Sequence, residues 1–107
     1  MLMNSLPPEV RKVVDKNKDS TRDLHVIPKE TDLETLKQRY VEEMKIVNDL
    51  AYSEVIDING KEEGLKIFTD HYHKACSSKE DFYRMVRNNM DVLFEDEEWI
   101  VYQRKYS

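Results

Sequence analysis

Residues Thr31–Val55, "TDLETLKQRYVEEMKIVNDLAYSEV", decide the fold class of this 107-residue chain. Leu33, Leu36, Tyr40, Met44, Val47, Ala51 and Val55 recur three or four residues apart. At about 100° per residue this gathers them into one apolar stripe on an α-helix. Thr31 precedes Glu34 by three residues, the spacing at which each side chain can satisfy the other's backbone N–H. A helix is therefore expected from about residue 32. Its far end has two readings: "SEVIDINGK" (residues 53–61) either finishes the helix at Asn59 and Gly60 or forms a strand with an Asn-Gly hairpin turn.

Working outward, Leu65, Phe68, Tyr72 and Cys76 predict a helix over 61–76, with Gly64 weakening its first turn. Ser78 and Asp81 again stand at capping spacing, and Phe82, Val86, Met90 and Leu93 carry a fourth helix. The tail "WIVYQRKY" has strand composition, with helical continuation through the preceding acids as the alternative. On the other side, "LHVIP" reads as a short strand ended by Pro28. Ser5, Pro7, Pro8, Val10, Val13 and Val14 predict a capped helix stopping near Asn17. The expected architecture is a small α+β domain, mainly α: a compact bundle of three to four helices with one or two short strands. Residues 1–31 form a weakly packed N-terminal segment and residues 32–107 the main body.

Length allows one domain. Hydrophobic residues make up 39% and charged residues 36%, so the core is spread thinly over amphipathic elements. The single cysteine, Cys76, leaves no internal disulfide, which fits a reducing cytoplasm. Trp99–Tyr102 is the longest apolar run, too short for a membrane span, and the N-terminal residues lack a basic leader.

The net charge is −5, and it is regional: residues 1–31 hold six Lys/Arg against five Asp/Glu, residues 32–107 eleven against seventeen. A negative body repels nucleic acid and anionic membrane within a Debye length and attracts basic surfaces. Direct DNA binding is disfavoured for the same reason. The "CSS" turn between two helices has a helix-turn-helix outline, but the residues that would meet base edges are Lys79, Glu80 and Asp81.

Catalytic signatures are missing. Two glycines cannot build a phosphate-cradling loop, and there is no CxxC, HExxH or GxSxG. "HYHKAC" offers Asp70, His71, His73 and Cys76, but residues two apart on a helix point about 200° apart, so His71 and His73 do not chelate one ion together. Neither a metal nor a cofactor is expected. The glutamate pairs supply carboxylates without the separated pKa values that general acid/base catalysis needs.

Carboxylates three or four residues apart on a helix stand about 5–6 Å from each other, an interval close to that between phosphates along a strand. Glu42 and Asp49 project opposite the apolar stripe, and Glu43 and Glu54 flank it. With its small size, regional acidity, "EE" pairs and "EDEE" run (Glu95–Glu98), the chain resembles small acidic phage-type inhibitors that imitate DNA. The resemblance implies a basic target, such as a histone-like nucleoid protein, a repressor or a nuclease, blocked stoichiometrically without catalysis.

In that reading Glu95, Asp96, Glu97 and Glu98 steer a partner while Trp99 and Tyr102 make the desolvated contact. The competing reading buries Trp99 in the core or in a self-contact. The methionines, the tyrosines and an edge strand at each end would also serve a homodimer. A second functional class is a small scaffold or regulatory module that binds through an apolar helix surface.

Overall fold

The computed structural model describes residues 6–19 and 22–105; the Ser5 cap lies outside them. The expected class holds: among the described residues there are five helices and a three-stranded antiparallel sheet. The order is α1 (Pro8–Asn17), β1 (Leu24–Pro28), α2 (Leu33–Val47), α3 (Asp49–Asn59), α4 (Lys61–Ala75), α5 (Lys79–Asn89), β2 (Met90–Glu95) and β3 (Trp99–Arg104). None of the described helices is long and apolar enough to cross a membrane. Two compact units result, one of residues 32–84 and one of the residues before and after it, with a boundary inside α5.

In the flanking unit, β3 lies centrally between β1 and β2. It pairs with β1 from Leu24↔Gln103 to Pro28↔Trp99, and with β2 from Met90↔Arg104 to Glu95↔Ile100. The tail is therefore the middle of the sheet, not an edge strand. Trp99 through Gln103 are all buried, which is why this strand reads as a continuous apolar run rather than an alternation. Trp99 and Val101 join Leu6, Val10 and Val14 in one core cluster. The N-terminal segment, expected to pack weakly, supplies three of the five buried residues of that cluster, Leu6, Val10 and Val14, the last two from α1.

The fourth helix stops earlier than its stripe predicts. Met90 begins β2, and Leu93 lies in that strand. A bulge between Val92 and Phe94 breaks the register. Because two residues there oppose one, the alternation is reset, and the adjacent Leu93 and Phe94 both pack against the cluster. Period-3.6 spacing of apolar residues across 82–93 is thus produced by a helix followed by a bulged strand.

The other unit contains α2, α3 and α4. The long helix expected from residue 32 is divided at Asn48, whose φ of −123° and ψ of 54° are not helical. Its N–H still donates to the Met44 carbonyl (2.9 Å), its carbonyl accepts from the Tyr52 N–H (3.1 Å), and its side-chain amide donates to the Tyr72 hydroxyl (2.9 Å). At the break both backbone groups of Asn48 are thus bonded, and its side chain is of a type suited to leaving the helix.

Further on, residues 53–59 are the last turns of α3, and Gly60, at φ 85°, separates α3 from α4. Gly64 is a packing residue: a Cβ there would lie 2.8 Å from the Val55 carbonyl oxygen and 2.9 Å from Ile56 Cα. Its missing side chain lets α4 approach α3 closely. Tyr52, Phe68 and Tyr72 fill the space around this contact, with ring centroids 5.0 and 4.7 Å apart.

The two expected helix starts have different outcomes. Asp32, not Thr31, is the N-cap of α2; the Thr31 hydroxyl donates to the Pro28 carbonyl at 2.6 Å. At α5 the capping arrangement forms as expected. Asp81 accepts from the Ser77 and Ser78 backbone N–H groups (2.9 and 3.1 Å), while its own N–H donates to the Ser78 hydroxyl (3.3 Å).

Candidate functional site

The sequence "EDEEW" divides its roles residue by residue. Glu95 is the last residue of β2, and both of its oxygens are taken: Oε1 accepts from Arg87 Nε (3.0 Å), and Oε2 from Arg87 Nη2 and Lys29 Nζ (2.7 Å to the lysine). The Arg87 hydrogen bonds, assisted by Lys29, hold its carboxyl at about 2, against the opposing effect of burial. Asp96 forms the turn, its Oδ1 accepting from the Glu98 and Trp99 N–H groups, each at 2.8 Å. Such local bonding of an Asp to the backbone two and three residues on is what makes it a turn residue.

Glu97 and Glu98 are left exposed at the tip. With Pro28, Lys29, Glu30 and Trp99 they line a shallow groove of about 380 Å³. Trp99 is only 7% exposed, and Tyr102 is fully buried beside His25, ring centroids 4.9 Å apart. These two aromatics are core: the reading that buries Trp99 fits, and the reading that makes Trp99 and Tyr102 partner contacts does not. Glu95 is likewise an internal ion-pair partner. Of the terminal acidic run, Glu97 and Glu98 are the carboxylates that extend into solvent without a turn or ion-pair role in the bonds described above.

On the helices, Glu42 is exposed and paired with Lys45 at 2.8 Å. Glu43 is 1% exposed, which removes it from the expected partner-binding surface. At about 100° per residue it stands about 20° beyond Leu36, at the flank of the apolar stripe, and the buried face of α2 reaches past the stripe to include it. Asp49 and Glu54 are exposed on α3.

The features that the sequence reading missed are also on α3. Leu50 is 81% exposed and Ile58 75%, and Asp57 is exposed between them. The available signal was that Leu50 and Ile58 are apolar residues left over when the stripe through Ala51 and Val55 is drawn.

The residues with catalytic chemistry are dispersed into structural contacts. His73 Nε2 meets Glu34 Oε1 at 3.0 Å, and His71 stacks edge-on against Tyr72. Cys76 is buried, its Sγ 3.6 Å from the Ser78 carbonyl. Burial, reinforced by Asp81, pushes the thiol up from its ordinary value, the opposite of what a nucleophilic thiolate needs. Among the described residues no group of three or more His, Cys, Asp or Glu is placed to hold a metal ion.

No family model, curated protein or solved structure matches the chain. The site is therefore defined by its own geometry: two exposed acidic surfaces, one at the β2–β3 turn and one along α3.

Proposed function

We propose that this chain is a non-enzymatic, cytoplasmic acidic inhibitor that binds a basic DNA-binding protein and occupies its nucleic-acid surface. One observation carries the reading. Residues 32–84 hold twelve Asp/Glu against eight Lys/Arg, and within them α3 presents Asp49, Glu54 and Asp57 to solvent with no Lys or Arg in the helix. A basic groove would release its condensed counterions on meeting such carboxylates as it does on meeting phosphates.

The scaffold reading is favoured by a separate observation, the exposure of Leu50 and Ile58 on that helix, because large apolar side chains grouped on a surface mark interaction sites. The two readings differ in salt dependence. Capture from nuclease-treated bacterial lysate, followed by identification of retained proteins, tests them directly. The inhibitor reading expects a basic DNA-binding protein, retained at low salt and displaced by salt and by added duplex DNA. A retained partner indifferent to both would overturn it in favour of the scaffold.

A further inference from the structure

We propose that the solvent-facing half of α3 is a docking face whose occupant is a basic protein surface carrying an apolar groove rimmed by Lys and Arg. This rests on the basic-partner reading and adds the place and the mode of contact. At 100° per residue, Asp49, Ser53, Asp57, Leu50, Glu54 and Ile58 follow one another around one half of the helix, and all six are exposed. Ala51, Tyr52, Val55 and Ile56 occupy the other half and are partly buried, Tyr52 against Phe68 and the Val55–Ile56 backbone at Gly64. The inner half is thus committed to α4, and the outer half presents three carboxylates and two large apolar side chains, with Glu54 between Leu50 and Ile58.

Leu50 and Ile58 are eight residues apart, about 12 Å along the axis. They stand about 80° apart around the helix with Glu54 between them, on one side of α3, so both can enter a single groove. A surface imitating a phosphate track alone would need the carboxylates but would leave apolar groups exposed to no purpose.

By contrast, the exposed residues of α1 include Glu9, Arg11, Lys12, Asp15 and Lys16, an ordinary solvated mixture, and none of its described residues is a large exposed hydrophobic. Charge also selects among occupants. A second copy docking through α3 would set three carboxylates against three with no helix cation between them, and a nucleic acid would be repelled. A surface of Lys and Arg around an apolar groove complements both features at once.

The test uses the full chain and two probe peptides of equal positive charge, an amphipathic Lys/Leu peptide and a Lys/Ser peptide, titrated at low salt and followed by amide chemical shifts. The expected result is binding of the Lys/Leu peptide roughly tenfold or more tighter, with shifts centred on residues 49–58. Leu50→Ser with Ile58→Ser should abolish the preference. Glu54→Gln with Asp57→Asn should weaken both peptides and flatten the salt dependence. All four positions are exposed, and helical circular dichroism of each variant checks that the fold is retained.

Equal binding of the two peptides, or shifts centred on Glu97 and Glu98, would overturn the docking face while leaving the basic-partner reading intact. Binding of neither peptide would overturn both. Concentration-dependent self-association lost in the Leu50/Ile58 variant would make a second copy the occupant and refute the proposal.

Discussion

Replacing Glu95 by glutamine should lower stability by about 2–3 kcal/mol at neutral pH. The carboxyl sits at about 2 where an ordinary glutamate has 4.5, and each pH unit of that displacement corresponds to about 1.4 kcal/mol. Its ionised form is thus favoured in the fold by about 3 kcal/mol. The side chain is one-fifth exposed, so solvent screens the interaction only in part, and an amide oxygen retains a weaker version of the Arg87 and Lys29 bonds.

Because the folded value is depressed, the contribution is complete above about pH 4.5 and disappears as pH falls through about 2. Urea unfolding followed by Trp99 fluorescence, which reports on the sheet holding Glu95, supplies the measurement. The wild-type and variant curves should lie furthest apart at pH 7 and converge between pH 4.5 and 2. A loss below about 0.5 kcal/mol, the range of ordinary surface substitutions, or a difference that stays constant across that window, would refute the assignment of Glu95 to an internal ion-pair cluster.

Other perturbations follow from the same contacts. Gly64→Ala forces a methyl group against the Val55 carbonyl and should cost about 1–3 kcal/mol in thermal unfolding monitored by helical circular dichroism; a neutral result would mean α3 and α4 do not approach as described. Gly60→Ala, at φ 85° and ψ 163°, occupies a region nearly closed to other residues and should cost about 1–3 kcal/mol by the same assay. Trp99→Ala should cost about 3–5 kcal/mol, and wild-type Trp99 should resist aqueous quenchers equally with and without a bound partner; a partner that protects it would restore Trp99 to the interface. Neutralising Glu97 and Glu98 together should change stability by no more than about 0.5 kcal/mol, since Glu98 joins the turn through its backbone and both carboxylates are exposed; a larger change in urea unfolding would show a structural role.

Much of the helical body is legible from apolar spacing because α2 and α4 each bury one face, and Ser78 with Asp81 announces α5 correctly. Thr31 misleads because its hydroxyl has a competing acceptor, the Pro28 carbonyl, in the turn before the helix. Asn48 is invisible as a break because the stripe continues in phase through Ala51 and Val55. What settles the break is a bond to Tyr72, distant in sequence.

The candidate site was harder to read for a related reason. Exposed and buried carboxylates are identical in composition: Glu42 and Glu43 are neighbours, yet one faces water and the other, at the flank of the stripe, is buried. Trp99 beside four acids suggested a contact surface, whereas a tight turn allows an exposed tip to precede a core residue immediately. Glu97 and Glu98 stay in solvent, and Trp99 turns inward.

The most direct test of the basic-partner account is competition on DNA. The DNA-binding protein recovered from lysate is purified, bound to fluorescein-labelled duplex, and titrated with this chain while anisotropy is recorded at several salt concentrations. Displacement of the duplex, steeply weakened by salt and much reduced for the Glu54→Gln, Asp57→Asn variant, is the predicted result. Formation of a ternary complex with the duplex still bound, or displacement independent of salt and of those carboxylates, would contradict it.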